Sequence, residues 1–411
     1  MAINIKNLEE LIQKKVHTVT SSTPTADLGD MIEASLLATN GLREYDSVGL
    51  LPIASTSNEK IAFINNEKSI RFNNGTKWDA LISGAAQAGG SGGGATADNI
   101  AQGVSYGYTA GGEPSPTTPF PAGGNITIEK FSFTADANST DVGDLAEGHY
   151  GAGRHDPTLA LILGGGIFPG NVMTNKVQSF TFASGTDAAV TPYVLGNQAN
   201  YSARGVHQTP DIAFVTGGYR SPPLAVYSTI NKYPFANNSN ATTITDPSNN
   251  LQNAFYASAS MSPTTAYFAG GWESFAPTPS ALEVLRKYPF ATEDAASTDI
   301  GDLLAGSTYG GTGMTGPTHG YHASNAGTGT NVIQKYSFSV DGNSTDVGDM
   351  QVATNVARVG GNQSPSFGYI TTSNHPTIND AIEKFPFASD APTVDVGDLT
   401  TDHVFGAQMQ I

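Results

Sequence analysis

The acidic residues most regularly spaced in this chain lie in one recurring phrase. It reads STDVGDL (139–145), STDIGDL (297–303), STDVGDM (344–350) and VDVGDL (394–399). Asp141 and Asp144, Asp299 and Asp302, Asp346 and Asp349, and Asp395 and Asp398 are paired carboxylates of the kind that bind calcium or share acid–base work. Calcium needs about six to eight converging oxygens, and each phrase offers about two. Recurrence at equivalent positions is what a structural element produces, so the phrase reads as a tight Asp–Gly turn with the following Leu or Met anchoring the next strand. S-x-D-x-G also resembles part of the Asp-box of sialidases, but the aromatic that closes the box is missing. The chain has no cysteine, which excludes thiolate metal sites, disulfides and a cysteine–tyrosine copper radical. Its eight histidines are scattered, with His319 and His322 the one close pair. No metal, cofactor or catalytic residue is expected, and no enzyme.

Composition narrows the partners. Only 13% of residues are charged, and Asp and Glu outnumber Lys and Arg to leave a net charge of −17. Phosphate backbones are bound by clustered Lys and Arg, so a nucleic-acid partner is excluded. The start lacks the apolar core of a signal peptide, and the longest apolar run, 159–168, is too short to cross a bilayer. The expectation is synthesis in a cytoplasm with no membrane insertion.

The elements that position these residues come from repeats. Basic or polar, aromatic, any residue, Phe recurs six times: KFSF (130–133), SFTF (179–182), KYPF (232–235), KYPF (287–290), KYSF (335–338) and KFPF (384–387). The final Phe residues are 49, 53, 55, 48 and 49 positions apart. Aromatics two apart share one face of a strand, which suits packing better than a ligand platform. Ahead of each lies an apolar strand, in four copies stopping at paired glycines: GYTAGG (107–112), LILGGG (161–166), FVTGG (214–218) and YFAGG (267–271); GYHASN (320–325) and GYITTS (368–373) complete the set. The glycine pairs read as tight turns near a ring centre.

Each unit of about 50 residues holds about four short strands, and one such sheet cannot bury both faces. Six stacked radially can. The predicted fold is mainly β, a six-bladed propeller over 99–411. The first unit lacks its opening strand, and HVFGAQ (403–408) matches HYGAG (149–153), so the C-terminus is predicted to close the ring. Apolar strand, paired glycines and aromatic strand at this pitch resemble the kelch family of β-propellers, without its late-strand Trp; the two tryptophans are Trp78 and Trp272. The wording GY-x-x-GG, I-x-K-[FY]-x-F, DVGDL is similar to kelch-like repeat proteins of marine bacteriophages.

Residues 1–98 differ. Ile5, Leu8, Leu11, Ile12 and Val16 form one helical stripe, and Leu28, Met31, Ile32, Leu36 and Leu37 a second segment, giving a helical attachment segment over 1–45. A β-meander over 46–83 follows, with strands in IAFI, SIRF and KWDAL, then a Gly-rich linker over 84–98. This small α+β module resembles N-terminal modules of phage tail fibres and other virion proteins. The first stripe is too short for a stable lone helix. It needs the second segment, sister subunits or the virion to cover it. Since phage fibres are commonly trimeric, the resemblance implies a homotrimer.

The resemblance implies a virion protein, a tail fibre or related appendage. Residues 1–83 would meet other virion proteins, and the propeller would be exposed to a host-surface saccharide or protein. A capsid decoration or fibre-base protein is the alternative of the same class; a cellular kelch-type adaptor or polysaccharide-acting enzyme is the alternative of another. Candidate binding residues sit in connections that differ between units: Phe120, Phe168, Tyr219, Arg220, Trp272 and Phe275.

Overall fold

A computed structural model describes four strands of the N-terminal region, 43–45, 61–64, 69–73 and 78–82, and residues 102–411 apart from 115–123, 168–171, 183–186, 197–204, 217–218, 221–224, 227–228, 238, 246–256, 272–281, 291–295, 305–310, 326–329, 352–359, 372–379, 402 and 405. Two compact units divide at Gly94/Ala95. In the first, Ile61–Ile64, Ser69–Asn73 and Trp78–Ile82 form an antiparallel meander. Arg43–Tyr45, placed with the helical segment by the sequence, adds a fourth strand parallel to Ile61–Ile64. The stripe Ile5, Leu8, Leu11, Ile12 and Val16 lies outside the described residues.

The second unit is a six-bladed β-propeller of four-stranded antiparallel sheets. Blade 2 shows the plan: His149–His155, Leu159–Ile167, Val172–Thr181 and Ala189–Val194 pair in sequence order. Blades 3 to 6 repeat it from first strands Gly205–Gln208, Ser258–Met261, Thr312–Thr315 and Gly360–Gln363. Blade 1 combines both ends of the unit. Ala407–Gln410 pairs with Tyr106–Ala110, followed by Thr127–Ser132 and Thr140–Asp144. Upstream, His403–Val404 pairs with Glu113–Pro114. In blade 2 the two parts of this pattern form one strand, His149 and Tyr150 pairing with Ile167 and Gly166, and Ala152 with Leu163. The closing strand thus ends at Gln410, two residues past the matched HVFGAQ.

First strands of successive blades touch around the circle, and the closing strand touches those of blades 2 and 6. Side chains alternate along each strand, so a buried strand feeds both neighbouring seams. Tyr267 and Ala269 join an apolar cluster against blade 5, while Ala266 and Phe268 join one against blade 3. All six seams hold such a cluster among the described residues, so the apolar core is divided between the blades.

The Asp–Gly phrase is not a turn. T-D-V/I-G-D is itself the fourth strand in blades 1, 4 and 5, and V-D-V-G-D in blade 6. The third strand shifts register opposite it, marking a bulge. The bulge requires glycine: Gly397 has φ 152°, and a Cβ there would lie 2.5 Å from the Ala137 carbonyl of blade 1.

Candidate functional site

The recurring residues meet at the seams. The second-strand position opposite the first residue of the aromatic phrase, Lys in five blades and Ser179 in blade 2, holds Tyr108, Leu161, Phe214, Tyr267, Tyr321 and Tyr369. The ring of Tyr369 packs 4.6 Å from that of Phe133, Tyr267 4.7 Å from Phe338, and Tyr321 4.7 Å from Phe387, each reaching the next blade. Their hydroxyls donate to the carbonyls of the same three phenylalanines at 3.2, 3.1 and 3.4 Å. Burial pushes the phenols of Tyr108, Tyr321 and Tyr369 up to about 12, so they stay protonated donors. The aromatics therefore pack between blades, as their repetition implied.

The Lys of the same phrase reaches an Asp in the next blade. Lys287 pairs with Asp341 at 2.7 Å, Lys335 with Asp390 at 2.7 Å and Lys384 with Asp136 at 2.5 Å. The Asp carboxylates are about half exposed, so each pair contributes at most ~1 kcal/mol and acts mainly to fix register.

The paired carboxylates serve the backbone. Asp141, Asp299, Asp346 and Asp395 each accept the N–H of the bulge glycine two residues on, at 3.1 Å. The carbonyls of Asp302, Asp349 and Asp398 accept N–H groups of Ser344, Thr393 and Ser139 in the next blade. The oxygens are thus spread around the ring rather than gathered at a point. Among the described residues no group of three His, Asp or Glu side chains could hold a metal ion. His319 and His322 are three apart on one strand, so they point to opposite faces. His319 meets Thr318, and the buried His322 meets Ser258 at 2.7 Å.

A second set of polar residues was missed in the sequence. Glu129, Gln178, Gln334 and Glu383 precede the Lys or Ser of the aromatic strand and are buried. Each receives the chain as it arrives from the previous blade. Glu129 accepts the Thr400 N–H at 2.7 Å, the Thr401 N–H at 3.1 Å, the Ser139 hydroxyl at 2.6 Å and the Thr401 hydroxyl. Gln334 accepts from Leu304, Glu383 from Gln351 and Gln178 from Glu147, all through backbone N–H groups. These two buried carboxylates hold linkers rather than substrate. The signal was available, because a polar residue interrupts an apolar strand at one fixed position in the repeat.

Of the proposed binding residues, Phe120, Phe168, Trp272 and Phe275 lie outside the described residues. Tyr219 and Arg220 form a two-residue strand paired with Ala225–Val226, a small hairpin between the second and third strands of blade 3. Because strands alternate in direction, every second-to-third connection emerges at the end of the blade where the chain passes to the next blade. The strand ends that bear the varied connections therefore share one face.

A concavity lies on the ring axis. It has a volume of about 80 Å³ and is walled by first strands. Its glycines are Gly151, Gly153, Gly311, Gly313, Gly360, Gly361 and Gly406, not the pairs that the sequence placed near the centre. Those pairs, such as Gly270 and Gly271, end the second strand with φ of 67° and 112°. Glycine on the axis lets backbones meet: a Cβ on Gly313 would sit 2.1 Å from the Ala259 carbonyl oxygen. Arg154, Ser258, Thr312 and Gln408 supply polar groups to the wall. Burial lowers Arg154 to about 9. His155 and His207, in the first strands of blades 2 and 3, are lowered to about 3, by burial first and by Arg154 second, and are neutral at pH 7.

No protein-family model matches the chain, and no curated protein matches it either.

Proposed function

We propose that this chain is a non-enzymatic virion protein of the kelch-like repeat kind, a tail-fibre or related appendage. Residues 1–83 attach it to the particle, and the propeller displays its connections to a host-surface saccharide or protein. The supporting observation is how the recurring chemistry is used. Tyr267, Lys287, Asp299 and Gln334, with their equivalents, are engaged in holding blade to blade or in shaping strands. What differs between blades is the sequence of the connections borne by strand ends on one face, and variable connections on a rigid ring are where recognition concentrates. Assignment to a virion rests on the resemblance of the repeat wording and of the N-terminal module to phage proteins.

Immunogold labelling of purified particles, using antibody raised against residues 99–411, should decorate tail structures when the full chain is supplied. It should leave particles unlabelled when residues 1–83 are deleted. Incorporation of the deleted chain would instead make the propeller the docking surface. Recovery of the full chain only in the soluble fraction would contradict a virion role.

A further inference from the structure

Among the described residues that wall the axial cavity, Arg154 is the one that carries a charge. It lies on the wall of the axial cavity, at the end of the blade 2 first strand, half-buried. Its Nη1 donates to the Gly153 carbonyl at 2.9 Å, a contact with its own chain neighbour. Its Nε is buried and has no hydrogen-bond partner. Among the described residues no carboxylate pairs with it, and the two ionisable neighbours that feel its charge, His155 and His207, are neutral. With the side chain only partly exposed and no carboxylate to offset its charge, an anion entering the cavity would stabilise it. Elsewhere in the ring, Lys287, Lys335 and Lys384 have their Asp partners.

We propose that the axial cavity is a receptor for one small carboxylate, bound by the Arg154 guanidinium. The planar fork of arginine matches a carboxylate edge-on, with parallel N–H donors to two oxygens. The rest of the wall suits such a guest. Glycine and alanine backbones leave room and the Thr312 hydroxyl lies on the wall, while Ser258 is bonded to His322 and the Gln408 amide nitrogen to Thr109 and Gly406. Size sets the class: a cavity of ~150 Å³ holds benzene, so one of about 80 Å³ takes a carboxylate of formate or acetate size and excludes an aromatic acid. The inference is independent of any virion role, since it depends only on the closed ring and its axis.

The test uses the full chain with acetate as probe, in thermal melts at fixed ionic strength balanced with chloride. Acetate well above its dissociation constant should raise the melting midpoint by at least about 2 °C. Isotope-labelled acetate should broaden in NMR spectra on adding protein. Benzoate should do neither. Arg154→Gln should abolish both responses, while Thr312→Val, which keeps the guanidinium, should weaken binding without abolishing it. A peptide ending in a free carboxylate, tested beside acetate, shows whether the site also takes a chain terminus: response to acetate alone places the guest among free small acids, and response to both admits a C-terminal residue. Absence of an acetate response in the wild-type chain, or an undiminished response in a folded Arg154→Gln variant, overturns the proposal. If Arg154→Gln fails to fold, the benzoate and Thr312→Val arms decide: equal response to benzoate, or unchanged affinity in Thr312→Val, overturns it.

Discussion

Ending the chain after residue 402 should unfold the ring rather than trim it. The segment removed contains Ala407–Gln410, the first strand of blade 1, in which Ala407, Met409 and Gln410 are buried. Met409 belongs to the apolar cluster between blades 1 and 2. Its carbonyl accepts the Asn362 side-chain amide of blade 6 at 2.6 Å. One strand therefore joins three blades. Losing Met409 alone costs about 2–5 kcal/mol. Loss of the ladder also exposes the edge of Tyr106–Ala110. Together these approach the ~5–15 kcal/mol that stabilises a typical domain. Differential scanning calorimetry should show the cooperative transition lost or displaced by more than about 10 °C, while an unchanged midpoint would show that closure is not needed. A permutant should recover stability if it joins Ile411 to Ser105, whose backbone N–H already donates to the Ile411 carbonyl at 2.6 Å, and opens the chain at another seam.

Acid should weaken the ring well before general carboxylate protonation accounts for it. His155 and His207 titrate near 3 when folded and near 6.5 when unfolded. Between those values the unfolded chain binds more protons, so stability falls as pH falls through that window and is fully present above it. The slope is about 1.4 kcal/mol per pH unit for each histidine. The physical cause is visible for His207: its ring lies 4.5 Å from that of Phe268, and its Nε2 meets the Tyr267 carbonyl at 2.9 Å, while Nδ1 has no partner to take a second proton's charge. Melts between pH 7 and pH 4 should show a loss of about 3 kcal/mol or more. His207→Phe should flatten that dependence by about half; a flat wild-type profile would contradict burial of neutral imidazoles.

The six blades were legible because their signal is local. K-Y-x-F places two aromatics on one face of a strand, and six copies at near-constant spacing leave few architectures able to bury them. The first strands were harder to read. Their residues are small, as in SASM (258–261) and GGNQ (360–363), because the axis admits little more than backbone, and small residues carry almost no periodic signal. A cue lay beside them in the Pro-centred turns DPT, TPD, SPT, GPT and SPS, which join first to second strands in blades 2 to 6. The Asp–Gly phrase misled for a different reason: a bulge and a turn both ask for glycine at positive φ, and one sequence cannot distinguish them. Glu129 and Glu383 looked unremarkable because their partners, Thr400 and Gln351, lie in neighbouring repeats and pair only once the blades stack. Arg154 gave no motif at all, since it stands at one blade only.

Recurring residues build the ring, and in the proposed function the unrepeated connections do the binding. The direct measurement is binding to glycan and host-protein arrays by the full chain and by a variant in which 115–123, 168–171, 221–224, 272–281, 326–329 and 372–379 are replaced with short Gly-Ser segments, each protein also melted. The account predicts midpoints within a few degrees of each other and loss of every array signal in the variant. Retained binding by the variant, or collapse of its cooperative transition, would contradict it.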